Sequence, residues 1–242
     1  MVFAGVASEH DHFLIHSLFD ALAWLAAAAA VFALRRTWFR DNPVTEPLRF
    51  GYLAAVLIGA GCGAWFFGTL NAWASGQPGL ARSVEGALAG AILAIELFKK
   101  FNGITARTGA IYALPLALGI SIGRIGCLLS GMEDFTYGVA TGRDWGWDFG
   151  DGILRHPVQL YESAMMAAFA LVYGVMIKRG NMFWKINGFY LAAGFYAAQR
   201  FLLEFLKPYL PIAGPLTLFQ LLSAALLAYA LAMIATRDRS HS

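Results

Sequence analysis

Seven ionisable side chains interrupt the apolar stretches of this sequence. They are Asp20, Glu85, Glu96, Arg124, Glu162, Arg200 and Glu204. An ionised group at the centre of a bilayer costs about 3 kcal/mol or more, so each should have a partner or a function. Glu96 has Lys99 and Lys100 within one helical turn, which is explanation enough. Attention therefore falls on the other six.

Arg124 is the most informative of them because it lies among glycines, within the segment Gly119-Ile-Ser-Ile-Gly-Arg-Ile-Gly. A guanidinium has a fixed charge and a planar fork of N–H donors, which suits a phosphate or a carboxylate. The alternative is a purely structural ion pair with a glutamate of another helix. Both interpretations place Arg124 inside a helix bundle.

Two further groups could bind an anion or could simply neutralise each other. Arg200 and Glu204 are four residues apart, so they are expected to share a helix face and to pair. Gln159 and Glu162 share a face of the helix that follows Arg155-His156-Pro157. The start of such a helix presents free N–H groups and a positive dipole end, which predicts an anion site there.

Pairs of glycines four residues apart recur in three apolar stretches: Gly59 and Gly63, Gly86 and Gly90, and Gly119 and Gly123. This spacing is typical of helices that approach each other closely. The two cysteines, Cys62 and Cys127, lie in apolar runs without metal-ligand spacing. We predict Cys62 to be a small buried apolar side chain.

Composition excludes a soluble protein. Of the 242 residues, 59% are hydrophobic and 14% are charged, and the mean hydropathy is +0.59. A soluble domain carries about 25% charged residues, so lipid must solvate most of this surface. Nucleic-acid binding as the main task, intrinsic disorder and a disulfide scaffold are excluded for the same reason.

Seven apolar stretches are about 20 residues long, the length that crosses a hydrocarbon core. They are 14–34, 48–70, 80–98, 109–129, 158–177, 187–206 and 215–235. None alternates as barrel strands do, so the predicted fold class is an all-α integral membrane protein, a bundle of about seven transmembrane helices.

The basic residues of the loops predict the orientation of this bundle. Twelve lie in loops on one side: Arg35, Arg36, Arg40, Arg49, Lys99, Lys100, Arg107, Lys178, Arg179, Lys185, Arg237 and Arg239. Four lie on the other: Arg82, Arg143, Arg155 and Lys207. The positive-inside rule then places the N-terminus outside and the C-terminus in the cytoplasm. We expect a single membrane domain over 1–242, with an outward loop at about 130–157.

Several strings in this order resemble the bacterial prolipoprotein diacylglyceryl transferase family. Ile15-His16-Ser17 opens the first stretch, and Gly123-Arg-Ile-Gly-Cys-Leu-Leu-Ser-Gly131 closes the fourth. Arg155-His-Pro-Val-Gln-Leu-Tyr-Glu162 opens the fifth, and Arg200-Phe-Leu-Leu-Glu204 ends the sixth. The resemblance implies a multi-pass enzyme of the bacterial plasma membrane. It would transfer the diacylglyceryl group of phosphatidylglycerol to a lipoprotein cysteine thiol and release glycerol phosphate.

The resemblance also implies roles for individual residues. Arg124 and Arg200 would stabilise the departing phosphate, and Glu85 occupies the position of a histidine that is important for transfer in the family. The implied substrate-binding residues are His16, Arg155, His156, Gln159, Tyr161, Glu162 and Glu204. No metal and no cofactor are expected. For Glu85, a catalytic base and a structural partner of an arginine such as Arg124 both remain open.

The sequence departs from the family at three places. Leu18 and Phe19 stand where a tyrosine and a glycine are usual, Glu85 replaces the histidine, and Cys127 replaces an asparagine. Two alternatives therefore stay open. One is a divergent transferase with a hydroxyl or amine acceptor, and the other is a membrane protein that binds phospholipid without catalysis.

Overall fold

The computed structural model describes residues 9–77, 79–132 and 135–236. In this part of the chain there are seven α-helices. They are α1 (Glu9–Thr37), α2 (Glu46–Ala74), α3 (Val84–Phe101), α4 (Ala113–Leu129), α5 (Val158–Lys178), α6 (Met182–Leu203) and α7 (Leu218–Ala235). Two short strands, β1 (Trp147–Asp148) and β2 (Leu154–Arg155), pair antiparallel within the loop between α4 and α5. The fold is therefore an all-α bundle with a small hairpin in its longest connection.

Five of these helices are long and apolar enough to cross a membrane: α1, α2, α4 together with the turn before it, α5 and α7. The other two are more polar. Four charged residues lie in α3, and α6 buries Asn187, Gln199 and Arg200. An all-α membrane protein is thus supported, whereas seven crossings and the outward N-terminus stay predictions.

The outer faces of the apolar helices carry large side chains that no other part of the protein covers. Among them are Trp24, Phe50, Phe66, Leu171 and Leu231. Such a surface is stable in lipid and would aggregate in water. Cys62 lies on this surface as well. The prediction that Cys62 is buried was wrong, because its apolar neighbours on α2 face outward rather than into a core.

Two of the three predicted glycine contacts form, and they join α2 to α3. A Cβ atom at Gly63 would overlap the carbonyl oxygen of Gly86, and one at Gly90 would overlap that of Gly59. The third expectation was wrong. Among the described residues, no heavy atom outside the helix's own backbone lies within 4 Å of a Cβ placed on Gly119 or on Gly123. The backbone of α4 is therefore open along this strip.

The contact between α2 and α3 should depend on its glycines. We expect Gly63→Ala to lower the free energy of unfolding by about 1–3 kcal/mol, because a methyl group there meets backbone atoms that cannot move aside. Thermal unfolding of the purified protein in detergent measures this loss. Gly61→Ala on the same helix is the control, since a Cβ at Gly61 meets nothing within 4 Å. Equal melting temperatures for the two variants would contradict the close contact.

Candidate active site

Arg200 is the centre of a buried network of charges. Its Nε lies 3.4 Å from Glu85 Oε2, its Nη1 lies 2.7 Å from Glu162 Oε1, and its Nη2 lies 3.0 Å from Glu204 Oε2. The side chain of Arg200 is 3% exposed. All three nitrogens of one guanidinium thus face three different carboxylates. The predicted pairing of Arg200 with Glu204 is confirmed, and two more partners accompany it.

Glu162 joins this network to two further basic groups. Its Oε2 lies 2.6 Å from Arg124 Nε, and its Oε1 lies 3.1 Å from Lys207 Nζ. The Arg124 contact is close enough for an ion pair, but neither atom has a hydrogen bond of acceptable geometry. We interpret it as an ion pair rather than as a hydrogen bond. The network, called here the charge cluster, comprises Glu85, Arg124, Glu162, Arg200, Glu204 and Lys207.

Three acids and three bases make the charge cluster formally neutral. This balance matters because an unpaired charge buried in an apolar interior is strongly destabilising. Lys207 is a loop residue in the predicted topology, yet its side chain is fully buried against Glu162. Its position three residues after Glu204 was the signal that could have identified it.

Alternating helix directions bring the cluster together at one end of the bundle. Glu85 is in the first turn of α3 and Arg124 is near the end of α4, whereas Glu162 begins α5 and Arg200 ends α6. Consecutive helices run in opposite directions, so these four positions meet. Glu204 follows in the short 3₁₀ turn after α6.

Two serines fix the position of α4 along the axis of α5. Ser121 Oγ donates to the carbonyl oxygen of Ser163 at 3.0 Å, and Ser163 Oγ donates to that of Ser121 at 2.7 Å. Ser121 is one turn before Arg124, and Ser163 directly follows Glu162. This reciprocal pair therefore sets the register in which Arg124 and Glu162 meet.

Glu85 is held from two sides and is almost completely buried. Ser223 Oγ of α7 donates to Glu85 Oε1 at 2.5 Å, and Arg200 Nε lies near Oε2. The arginine that pairs with Glu85 is therefore Arg200 rather than Arg124. Ser223 was missed because one serine in an apolar helix gives no pattern. With both oxygens occupied, these contacts favour the ion-pair interpretation of Glu85.

The segment from Arg155 to Glu162 divides into an outer and an inner part. Arg155 Nη1 donates to Asp151 Oδ1 at 2.6 Å, and this hydrogen bond holds the pKa of the Asp151 carboxyl below its ordinary value. His156 packs between the rings of Trp145 and Tyr161. These residues therefore belong to the loop side rather than to the charge cluster.

Gln159 lies on the inner part of the same segment and is fully buried. Its Nε2 donates to Thr136 Oγ1 at 3.3 Å, whereas its Oε1 has no hydrogen-bond partner among the residues that the structure describes. The loop between α4 and α5 is also joined to the 3₁₀ turn after α6, since Val139 N donates to the carbonyl oxygen of Leu206 at 2.8 Å. The loop thus covers the end of the bundle at which the charge cluster lies.

His16 of α1 is outside the charge cluster but lies next to it through Cys127. Its Nε2 is 3.9 Å from Cys127 Sγ, and Arg124 Nη1 is 3.9 Å from the same sulfur. The structure therefore brings His16 and Arg124 to one thiol. In the described residues, no group of three or more His, Cys, Asp or Glu side chains has the arrangement of a metal site.

Comparison with known proteins points to one family, both by family model and by individual relatives. The family model described as prolipoprotein diacylglyceryl transferase matches residues 14–236. A phosphatidylglycerol–prolipoprotein diacylglyceryl transferase of Geobacter sulfurreducens is 32% identical over 155 residues, which are 58% of this chain and 55% of the relative. A protein of the same name from Campylobacter curvus is 32% identical over 174 residues, 62% of each chain. The matched region is thus less than two thirds of either relative. No solved structure gives a significant match.

The contacts of Arg200 lead to a prediction about stability. Arg200→Lys keeps the charge but leaves at least two carboxylates without their donor, so we expect it to lower the free energy of unfolding by about 3 kcal/mol. Thermal unfolding in detergent is the measurement. The matched control is Arg49→Lys on α2, whose exposed pair with Glu46 should contribute less than about 1 kcal/mol. If Arg200→Lys melted at the temperature of the control, Arg200 would not be the centre of the network.

Proposed function

Because the chain belongs to the prolipoprotein diacylglyceryl transferase family, we propose that it moves a diacylglyceryl group from phosphatidylglycerol to a lipoprotein cysteine thiol. In this reaction the thiolate sulfur forms a bond to the terminal carbon of the diacylglyceryl group. The carbon–oxygen bond to the phosphate breaks, and glycerol phosphate leaves with the electron pair. The names of the relatives and the paired arginines support this assignment.

The single observation that carries the proposal is the difference between the two arginines. Arg200 directs every nitrogen of its side chain at a carboxylate, as described above. Arg124 meets Glu162 through Nε, while Nη1 faces the sulfur of Cys127, so the outer edge of its guanidinium meets no carboxylate in the described residues. This edge is where two phosphate oxygens would bind. Arg124 is thus the phosphate ligand in this proposal.

Stabilising the leaving phosphate is the chemical contribution of Arg124. Charge builds up on the phosphate oxygens as the carbon–oxygen bond breaks, and a fixed cation in a site without water stabilises that charge strongly. The direct phosphate contact that the sequence predicts for Arg200 stays a prediction. The contacts it makes instead support a positioning role, in which Arg200 holds Glu162 and Glu162 holds Arg124.

The orientation of the site follows from the loops. In the orientation predicted from the basic loop residues, the starts of α3 and α5 and the ends of α4 and α6 face outward. The charge cluster would then lie at the level of the outer leaflet, where a phospholipid headgroup and a secreted polypeptide can both reach it. The bacterial plasma membrane, which the protein would cross several times, is the location that fits this proposal.

A second candidate is a family transferase whose acceptor is a hydroxyl or an amine. The observation that favours an amine acceptor is the burial of Glu85. A carboxylate held by Ser223 and Arg200 is poorly placed to act as a base, and a neutral amine can attack without first losing a proton. Glycerol phosphate would be released in both cases. A lipid-binding protein without catalysis would release none.

Arg124→Lys tests the phosphate contact. Lysine keeps the charge but loses the planar fork, so we expect turnover of phosphatidylglycerol to fall about 100-fold or more. Glycerol phosphate release by purified protein in vesicles of phosphatidylglycerol measures it, in the presence of a lipobox peptide, which carries the acceptor cysteine of a lipoprotein. Arg143→Lys in the exposed loop between α4 and α5 is the control. Near-native turnover in Arg124→Lys would exclude a bidentate phosphate contact at this residue.

Glu85→Gln separates the two roles of that residue. If Glu85 anchors Arg200, the variant should melt at a lower temperature while turnover per folded molecule falls less than about tenfold. A general base would instead account for a loss of about 100-fold or more at unchanged stability. Both quantities should be measured on one preparation, with Glu85→His as the companion. If Glu85→His gained the ability to transfer the diacylglyceryl group to a lipobox peptide, this would show that the acceptor diverged at this position.

A further inference from the structure

A second chemical group lies beside the charge cluster and is not used in diacylglyceryl transfer as proposed above. His16 Nδ1 is 3.2 Å from Asp20 Oδ2, one turn along α1, and His16 Nε2 is 3.9 Å from Cys127 Sγ. The order of the groups is carboxylate, imidazole, thiol. This order is the one that activates a cysteine as a nucleophile, because the carboxylate orients the imidazole and the imidazole accepts the thiol proton.

Close packing of α1 against α4 holds this arrangement. A Cβ atom at Gly126 would lie 2.5 Å from Cβ of Phe19, so only glycine permits the approach. Phe19 is between His16 and Asp20 on α1, and Gly126 directly precedes Cys127 on α4. The contact that brings the two helices together is therefore the contact that places the imidazole at the thiol.

Arg124 supplies positive charge at the same sulfur. Its Nη1 lies 3.9 Å from Cys127 Sγ, and a neighbouring guanidinium stabilises a thiolate. A guanidinium in this place can also stabilise the negative oxygen that forms when a thiolate attacks an ester carbonyl. The thiol therefore has a base on one side and a cation on the other.

Space for a lipid chain leads up to the sulfur. Gly119, Gly123 and Cys127 follow each other at four-residue intervals on one side of α4. In the part of the chain that the structure describes, no neighbouring atom lies within 4 Å of a Cβ position on either glycine. The strip extends over about 12 Å of helix, at about 1.5 Å per residue. An acyl chain with its carbonyl at Cys127 can lie along it. Cys127 is a free cysteine of intermediate exposure.

We propose that Cys127 is a catalytic nucleophile that takes an acyl group from a glycerophospholipid. His16 accepts the proton of the thiol, and the thiolate sulfur bonds to the carbonyl carbon of an acyl ester. The ester carbon–oxygen bond then breaks, and the proton on His16 passes to the departing glycerol oxygen. The products are a lysophospholipid and a thioester on Cys127.

Water completes the cycle. His16 accepts a proton from a water molecule, whose oxygen bonds to the thioester carbon. The carbon–sulfur bond breaks, the proton returns to the sulfur, and a fatty acid leaves. Neither half requires an oxidant, a reductant or a metal. Asp20 is a positioning residue in both halves, because it acts on the imidazole and not on the lipid.

The experiment uses the full chain carrying Cys62→Ala, which leaves Cys127 as the one cysteine. The substitution is at a lipid-facing position, so glycerol phosphate release should be unchanged. The protein is mixed with phosphatidylglycerol vesicles, quenched with acid and analysed by intact mass spectrometry. We expect a mass increase of one acyl group that hydroxylamine removes, together with lysophospholipid in the lipid fraction. Adding Cys127→Ala should abolish both.

A second measurement keeps Cys127 in place, so it does not depend on whether the protein with both Cys62→Ala and Cys127→Ala folds. Maleimide should modify Cys127 of the Cys62→Ala protein at neutral pH at least 10 times faster than in the same protein carrying His16→Gln. A structural role of His16 that left the thiol inactive would give equal rates. Asp20→Asn should slow the modification by a smaller factor, because the imidazole remains but loses its orientation.

Two results would overturn the proposal. One is the absence of both the acyl adduct and lysophospholipid from a preparation that modifies rapidly with maleimide. The other is a hydroxylamine-resistant adduct with the mass of a diacylglyceryl group, which would show attack at the carbon beside the phosphate. Glycerol phosphate is measured in parallel samples that also contain a lipobox peptide as the acceptor. Its absence beside a labile acyl adduct would refute the proposed transferase function alone.

Discussion

Neutralising buried charge is the constraint on which this structure depends. Arg200 lies in an apolar bundle, and three carboxylates from different parts of the chain converge on it. A charged group in such a place is tolerated only with partners. The helices must therefore adopt the arrangement in which α3, α5 and the turn after α6 bring their glutamates to α6. The same requirement holds Glu162, and through it Arg124, in a defined position.

This constraint explains why the two arginines differ in their contacts. Arg200 satisfies its charge entirely within the protein. Arg124 uses one edge of its guanidinium for Glu162, and its remaining edge is directed to the sulfur of Cys127. A phosphate bound there would meet a cation that is already fixed in place, which is the condition for strong electrostatic stabilisation. The ion pairs of Arg200 and Glu162 thus hold Arg124 in position and leave one edge of its guanidinium free of carboxylates in the described residues.

Some of this could be predicted from the sequence, because intramembrane charges are rare and their spacing along a helix is informative. The helical fold, the pairing of Arg200 with Glu204 and the glycine contact between α2 and α3 all follow from local patterns. The pairing of Glu85 with Arg200 does not follow from a local pattern, since it depends on how three helices pack. Ser223 and the contact of the His16 imidazole with the Cys127 thiol join segments that are distant in the chain, so no local pattern predicts them. Lys207 has a local signal, its position three residues after Glu204, but its contact with Glu162 also depends on how the helices pack.

The most direct test of the central claim is the product formed from phosphatidylglycerol and a lipobox peptide by the purified protein. Mass spectrometry of the peptide and assay of the aqueous phase follow both halves of the transfer. The account predicts a diacylglyceryl group on the peptide cysteine and one glycerol phosphate released for each peptide modified. Phosphatidylglycerol that binds to the protein but is recovered intact, with no glycerol phosphate in the aqueous phase, would contradict it.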